Sequence, residues 1–153
     1  MADRRDYLHL NPFLSNAVPE ETFWQPDADF PLYLINWKEA SHTHTRSQNN
    51  QLLVQLKPDN PLRIHPDTAA KFGISDGQEV VVESPNGSAV AKAQLTVGIH
   101  PEVVGAQHGF GHTALGRVAK GRGTAFGDLN TIRYDPLSGQ ASHKEICVRL
   151  RPA

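Results

Sequence analysis

Short apolar blocks separated by turn residues recur along the chain from Phe30 onward. They mix β-branched or aromatic residues with polar ones at alternate positions, which is typical of half-buried strands. The sequence Pro85-Asn86-Gly87 lies between two of these blocks and predicts a hairpin turn. Strands are therefore predicted at 30–38, 62–65, 79–84, 88–97, 102–109 and 144–150.

Two further segments have the spacing or the end signals of short helices. Residues 65–73 carry Pro66 near the start and Gly73 at the end, where a left-handed stop is expected. Residues 50–56 fit either a helix or a strand. The sequence thus predicts a mainly β fold with short helices, in the form of a compact barrel.

Residues 1–28 have a different character from the rest of the chain. They are acidic, interrupted by proline and without periodicity, so we predict an extended arm or linker there and a folded domain over 29–153. Arg4-Arg5 resembles the start of a twin-arginine export signal. Such a signal needs a continuous apolar segment, which Asn, Pro and Glu interrupt here, so an arm remains the expectation.

Composition excludes several functional classes. The formal net charge is −1 and no block is strongly basic, so nucleic acid and anionic membranes are poor partners. No apolar run approaches the length of a membrane span. Cys147 is the single cysteine, which excludes an internal disulfide and any multi-cysteine metal or iron–sulfur site. It lies in a strand-like run and is expected to be buried and inert.

The segment 41–50, "SHTHTRSQNN", is rich in hydrogen-bond donors and follows the first predicted strand. Thr45, Arg46, Ser47 and Gln48 supply hydroxyls, a guanidinium and an amide, which suit phosphate oxygens and the edge of a heterocycle. A solvated polar loop is the alternative interpretation. The segment therefore predicts an anion-binding loop, with plain solvation as the competing explanation.

A metal site is a second alternative for the same segment. If the preceding strand continues through His44, then His42 and His44 lie on one face about 7 Å apart. A metal ion needs a third and a fourth ligand, and the sequence specifies none nearby at a familiar spacing.

A second candidate loop begins with "AQHGFGH", where Gln107, His108 and His112 stand among glycines such as Gly109. Glycines let the backbone approach a planar ligand closely and leave N–H groups available. This loop also begins where a predicted strand ends, and such long connections are usually functional. A flexible loop with incidental histidines is the alternative.

Signals later in the chain are weaker. Asn130 could read the edge of a heterocycle or act as a cap, and Lys144 could meet a phosphate. Gly87-Ser88 is a dipeptide that some self-cleaving decarboxylases convert, but the hairpin explains it here. There is no Ser-His-Asp signature and no carboxylate pair in a recognisable setting, so no complete active site is predicted.

The segments 30–50, 62–112 and 135–150, in this order, resemble a known family. It is the C-terminal molybdopterin-dinucleotide-binding domain of molybdenum or tungsten oxidoreductases of the dimethyl-sulfoxide-reductase superfamily, near the thiosulfate, polysulfide and tetrathionate reductases. The resemblance covers residues 29–153, and His65 stands where the family often has Asn. Its most specific motif is matched by Ile64, His65, Pro66, Ala69, Gly73, Ile74, Asp76, Gly77, Val80 and Val82.

The resemblance implies a double-psi β-barrel, as in aspartate decarboxylase, and a bound molybdopterin guanine dinucleotide carrying molybdenum or tungsten. The polar loop would contact the diphosphate and pterin, and the glycine-histidine loop would approach the pterin from the other side. The cofactor-binding residues carried over by resemblance are His42, His44, Thr45, Arg46, Ser47, Gln48, Gln107, His108, Gly109, His112, Asn130 and Lys144.

The resemblance also implies partners. The family domain is one of four in a catalytic subunit, and the parts that bind an iron–sulfur cluster and ligate the metal are not in this sequence. The implied partner is that catalytic remainder, which shares the cofactor, and through it iron–sulfur and membrane subunits. The chain alone would be a non-catalytic cofactor-binding module, expected in the cytoplasm, whereas the holoenzyme could be periplasmic. A stand-alone double-psi barrel acting as a protein- or nucleotide-binding adaptor is the alternative, and a small self-sufficient enzyme is a third possibility.

Overall fold

The computed structural model describes residues 26–114, 116–130, 141 and 146–153. In this part of the chain, six strands correspond in order to the six predicted blocks, most with ends that differ by one or two residues. They are β1 (Leu32–Trp37), β2 (Leu62–Ile64), β3 (Glu79–Ser84), β4 (Gly87–Leu95), β5 (Val103–Gln107) and β6 (Ile146–Pro152).

Within the described ranges, two short α-helices and one 3-10 helix connect the strands. The segment left open between helix and strand is a helix, α1 (Gln51–Leu56), and the Asn50 side chain caps it by accepting a hydrogen bond from the Leu52 N–H. The other predicted helix is α2 (Pro66–Lys71). The 3-10 helix spans Gly127–Leu129.

The ends of α2 confirm the signals read from the sequence. Pro66 occupies its first turn, and the His65 side chain accepts a hydrogen bond from the Asp67 N–H. Gly73 follows the helix with φ +65°, which is the left-handed conformation that glycine adopts without strain. The imidazole of His65 thus performs the capping role that an asparagine side chain performs elsewhere.

The strands close into a barrel in the order β1-β5-β2-β4-β3-β6. The pairs β1/β5 and β2/β4 are parallel. The remaining pairs are antiparallel, including the hairpin in which Ser84 faces Gly87. The mainly β fold and the barrel are confirmed, and the double-psi connectivity stays a prediction.

The barrel interior is filled by alternate residues of the strands, as a period of two requires. Leu62 and Ile64 of β2 are fully buried, as are Val80 and Val82 of β3. Cys147 is also buried, as predicted. In the described part of the chain, both α-helices have six residues, and none is long and apolar enough to cross a membrane.

The parallel pairing of β1 with β5 decides where the two polar loops lie. In this register Trp37 is the partner of Gln107, so both strands end at the same level. The His108 N–H then donates to the Trp37 carbonyl at 3.1 Å, beyond the last residues of both strands. The loops that follow β1 and β5 therefore leave the barrel from one edge, side by side.

Outside the barrel, one carboxylate links β3 to β6. Glu83 accepts from Arg149 Nε at 2.7 Å and from Arg151 Nε at 2.9 Å. Its side chain is only 18% exposed, whereas the two arginines are half exposed. Hydrogen bonds from Arg149, and next from Arg151, lower the pKa of Glu83 below its ordinary value of 4.5.

We expect Glu83→Gln to destabilise the fold at pH 7 and to have no such effect in strong acid. A carboxyl group with a lowered folded-state pKa stabilises the fold above its unfolded pKa, and this contribution is lost as the pH falls through the folded value. Urea unfolding midpoints measured at pH 7 and at several values below 4.5 test this. Glu79→Gln, at an exposed position of the same strand, is the matched control. A midpoint difference that stays constant with pH would contradict the expectation.

Candidate functional site

The loop between β1 and α1, residues 38–50, is here called the first loop. Its fold depends on Ser47, whose Oγ accepts from the Thr43 N–H at 2.7 Å and lies 3.2 Å from His42 Nδ1. His42 Nε2 lies 3.2 Å from the Lys57 carbonyl oxygen. Because a carbonyl only accepts, Nε2 carries the hydrogen, and in the neutral ring Nδ1 accepts from the Ser47 hydroxyl. His42 and Ser47 thus hold the loop together from within.

The structure lacks the strand geometry on which the alternative metal site depended. That site required β1 to continue through His44, but the strand ends at Trp37. His42 is 5% exposed with both ring nitrogens in hydrogen bonds, whereas His44 is exposed. Among the described residues, no group of three His, Cys, Asp or Glu side chains could hold a metal ion.

The loop after β5, residues 108–126, is here called the second loop, and it touches the first. His44 Nδ1 and His108 Nε2 are 2.6 Å apart, with their rings tilted by 35°. At this distance a hydrogen bond joins them, and one of the two nitrogens must donate. His44 has φ +50° and is the one non-glycine residue with positive φ in the described ranges. Such a conformation costs energy and persists where the surroundings impose it.

Close packing of backbone continues the contact beside the histidine pair. Gly109 has φ +94°, and a Cβ atom there would lie 2.9 Å from the carbonyl carbon of His44. Only glycine fits at that position. The ring of Phe110 packs edge-on against His42 with 5.6 Å between the centroids. The sequence-predicted residues of the two loops are therefore assembled into one continuous structure.

Two asparagines fasten the second loop: Asn49 belongs to the donor-rich segment 41–50, and Asn60 was not a predicted site residue. Asn49 Oδ1 accepts from the Val118 N–H at 2.8 Å and from the Ala119 N–H at 3.3 Å. Asn60, 1% exposed, donates from Nδ2 to the carbonyl oxygens of Gln107 and Thr124. Its Oδ1 accepts from the Thr124 N–H. Asn60 stands in the turn-like sequence Lys57-Pro58-Asp59-Asn60-Pro61, and no local pattern distinguishes it from other turn residues.

Several buried polar atoms near the two loops have no hydrogen-bond partner among the described residues. Gln48 is 2% exposed and its Nε2 has no acceptor, while Gln107 is 1% exposed and its Oε1 has no donor. Asn130 Oδ1 and Ser41 Oγ are also buried without a hydrogen-bond partner among the described residues. A buried polar group without a hydrogen-bond partner costs free energy, so such groups need an explanation. One explanation is that a bound ligand supplies the missing hydrogen bonds.

From residue 40 onward, the charge along the first loop, α1 and the second loop is of one sign. Residues 40–57 and 108–127 contain no Asp or Glu and include Arg46, Lys57, Arg117, Lys120 and Arg122. All 16 acidic residues of the chain lie elsewhere, together with only ten of its 15 Lys and Arg. Thr45 and Arg46 are both exposed at the surface of the first loop. These two segments therefore carry a local excess of positive charge, which favours anions, although the whole chain is nearly neutral.

The remaining predicted site residues are less closely tied to the two loops. His112 Nε2 lies 3.2 Å from the Gly109 carbonyl oxygen, so His112 supports the second loop. Asn130 follows the 3-10 helix. That helix packs on the β3–β4 hairpin, and the Ser84 hydroxyl of the hairpin donates a hydrogen bond to the Leu129 carbonyl oxygen. Lys144 lies outside the described residues.

Comparison of the sequence with protein families gives one match over most of the chain. The family described as "Molydopterin dinucleotide binding domain" matches residues 32–147. This range contains both loops and the buried amides.

Relatives at the sequence level are subunits of reductases. The chain is 32% identical, over 76% of its length, to the arsenate respiratory reductase molybdopterin-containing subunit of Shewanella sp. strain ANA-3. It is 36% identical, over 73% of its length, to the thiosulfate reductase molybdopterin-containing subunit of Salmonella typhimurium. The chain spans 15% of the length of each of these relatives.

A solved structure supports the fold independently. The acetylene hydratase of Pelobacter acetylenicus superposes with a TM-score of 0.69 over 86% of this chain and 21% of that one. The sequences are 16% identical, so this likeness concerns the fold alone.

Proposed function

Because the chain belongs to the molydopterin dinucleotide binding domain family, we propose that it holds molybdopterin guanine dinucleotide between its first and second loops. The chain acts as a binding module and contributes no complete catalytic centre of its own. Electron transfer at a molybdenum or tungsten ion is the chemistry that such a cofactor supplies when bound. The residues of this chain bind and orient the ligand.

The observation that carries the proposal is the pair of buried amides, Gln48 and Gln107. Among the described residues, Gln48 has a donor without an acceptor and Gln107 has an acceptor without a donor, and both belong to the loops predicted from the sequence. The rim of a pterin or guanine ring offers donors and acceptors side by side, so it can satisfy both amides. The residues present therefore fit the cofactor that the family name implies.

Charge supports the placement of the diphosphate. Arg46 is exposed on the first loop, in a region without carboxylates, and a guanidinium forms strong, often bidentate hydrogen bonds to phosphate oxygens. Thr45 adds a hydroxyl beside it. Gly109 leaves room for the backbone of the second loop to approach a planar ring.

Other predicted residues take supporting roles in this proposal. His42 and Ser47 shape the first loop from inside, and His112 supports Gly109. His44 and His108 hold the loops together at the point where the ligand would enter. Asn130 and Lys144 remain predicted contacts to the heterocycle and to a phosphate.

The chain spans 15% of the reductase subunits that it matches, so we propose a partner that supplies the rest of the cofactor site. This partner is the catalytic remainder of a molybdopterin oxidoreductase. Iron–sulfur and membrane subunits would be reached through that remainder.

Titration with guanosine diphosphate, which carries the guanine and a diphosphate, tests the proposed site on the isolated chain. We expect the amide resonances of residues 44–48 and 107–110 to shift in an NMR titration. Arg46→Ala should weaken binding roughly 10- to 100-fold, because a hydrogen bond to a charged group contributes about 1.5–3 kcal/mol. Native mass spectrometry of the purified complex should then show the intact dinucleotide.

Lys71→Ala is the matched control, because it removes one exposed positive charge from α2, away from the loops. Equal affinities for Arg46→Ala and Lys71→Ala would reject the role of Arg46. A well-folded chain that binds neither guanosine diphosphate nor the dinucleotide would instead favour an adaptor barrel without a pterin partner.

A further inference from the structure

The contact between His44 and His108 joins the exposed part of the first loop to the start of the second loop. His44 Nδ1 and His108 Nε2 lie 2.6 Å apart, although 64 positions separate the two residues in the sequence. A hydrogen bond between two ring nitrogens needs a hydrogen on one nitrogen and a lone pair on the other. The contact can therefore exist only while at least one of these two nitrogens carries no hydrogen.

The number of protons on the pair decides whether the bond can form. When both rings are neutral, a nitrogen of one ring donates to a nitrogen of the other. When one ring is protonated, the bond persists and is charge-assisted, which makes it stronger. When both rings are protonated, all their nitrogens carry hydrogens. Two N–H groups and two positive charges then face each other across the contact, so the rings have to separate.

The backbone of His44 is held in an unfavourable conformation at this contact. Its φ of +50° lies in the left-handed region, which costs energy for residues other than glycine. The second loop packs closely there, since a Cβ atom at Gly109 would lie 2.9 Å from the His44 carbonyl carbon. Ring contact and backbone packing together impose the conformation. Separation of the rings removes one of these two restraints, so the His44 backbone is expected to relax with it.

The described charged groups of the two loops are mostly positive. In the first loop, Glu39 is the one carboxylate, and its Oε1 accepts a hydrogen bond from the Ala40 N–H. The second loop contains no Asp or Glu. The other titratable side chains of the two loops are Lys38, His42, Arg46, His112, Arg117, Lys120 and Arg122. Within the described ranges no ion pair joins His44 to a carboxylate. These surroundings favour separation of the rings over a closed pair with two positive charges.

We propose that the hydrogen bond between His44 and His108 is a proton-sensitive latch between the two loops. The latch is closed while at least one ring is neutral, and it opens when both rings are protonated. Histidine changes its charge between about pH 5 and 8, so the latch closes toward neutral pH and opens in mild acid. The opening is local, because Asn49 and Asn60 continue to hold the rest of the second loop.

The latch consists of contacts within this chain, so it does not depend on the proposed ligand. It lies where the first and second loops meet, which is also where the proposed function places that ligand. A ligand held between the loops should therefore enter and leave faster in mild acid than at neutral pH. This consequence alone rests on the proposed function.

NMR spectroscopy of the unliganded full chain between about pH 8 and about pH 5 tests the latch. Ring nitrogen shifts report the protonation of each imidazole, and a nuclear Overhauser effect between the two rings reports their contact. We expect this effect at the upper pH and its loss at the step where the second ring gains a proton. The amide signals of Thr45 and Gly109 should shift in the same step.

Three variants separate the latch from other effects of pH. His108→Gln supplies an amide that can donate or accept, so the Thr45 and Gly109 signals should lose the pH response. His44→Asn keeps a residue that tolerates the left-handed conformation but shortens the side chain, so the loops should resemble the open state at every pH. His100→Gln removes a half-exposed histidine outside both loops and should leave the response unchanged.

Two results on the unaltered chain would overturn the proposal: absence of the ring contact at the upper pH, and a contact that persists when both rings are protonated. A His108→Gln chain whose Thr45 and Gly109 signals keep the full pH response would also overturn it. Titration of the same samples with guanosine diphosphate tests the ligand separately. A chain that shows the latch but binds no guanosine diphosphate supports the latch and counts against the ligand alone.

Discussion

Asn60→Ala is expected to lower the free energy of unfolding by about 3 kcal/mol. The substitution leaves two carbonyl oxygens, of Gln107 and Thr124, and the Thr124 N–H without their partner. Asn60 is 1% exposed, so water cannot readily replace the lost bonds. Each buried group left unsatisfied costs about 1–3 kcal/mol, although such costs do not add fully. Urea unfolding measures this loss, and the dependence of the free energy of unfolding on urea concentration should stay unchanged.

Asn50→Ala is the matched control for this prediction. Asn50 is an exposed asparagine that makes one capping hydrogen bond to the Leu52 N–H, so its loss should cost only about 1 kcal/mol. Amide hydrogen exchange should also accelerate at Thr124 in Asn60→Ala, because the second loop is released. Equal destabilisation by the two variants would show that Asn60 is an ordinary turn residue.

The strands could be predicted because each carries its own evidence. In β3, Val80 and Val82 belong to the barrel core at a spacing of two, although Val81 between them is also buried, and Pro85-Asn86 closes the hairpin to β4. Helix α1 was ambiguous for an equally local reason, since "QLLVQL" is too short to separate a period of 3.6 from a period of two. The cap formed by Asn50 decides it in favour of the helix. Asn50 stands at the start of the segment, so the signal was present in the sequence.

The barrel order and the loop contacts have no such local signature. The parallel pairing of β1 with β5 joins strands about 70 residues apart, and Asn60 reaches groups 47 and 64 residues away. The sequence indicated that each polar loop follows a strand, which is why the two loops could be placed together in advance. The sequence suggested that His44 could lie on one strand face with His42. It could not indicate that His44 contacts His108, because that contact depends on β1 ending at Trp37.

Residue chemistry alone also could not separate ligand-facing from loop-forming side chains. Ser47 and Gln48 are neighbours with similar donors, yet Ser47 Oγ is occupied by Thr43 and His42 while Gln48 Nε2 is not. A Ser47→Ala variant therefore disturbs the fold of the first loop as well as any ligand. The clearest tests of binding use residues whose polar atoms have no partner in the described structure.

Gln107→Leu and Gln48→Leu are expected to separate stability from ligand binding. Leucine is close to glutamine in size and removes a buried polar atom without a partner, so the free energy of unfolding should stay equal or rise by about 1 kcal/mol. Affinity for guanosine diphosphate should fall about 10-fold or more in each variant, since about 1.4 kcal/mol corresponds to a factor of ten. Urea unfolding and NMR titration measure the two quantities on the same samples.

Gln94→Leu supplies the control for both measurements, because Gln94 is exposed on β4 and belongs to neither loop. It should change neither the affinity for guanosine diphosphate nor the unfolding midpoint appreciably. If Gln107→Leu unfolds more easily and binds as well as the unaltered chain, the amide serves the fold. The opposite pattern, stability kept and affinity lost, is what a protein shows when buried polar atoms are maintained at a cost to its own stability so that a ligand can complete them.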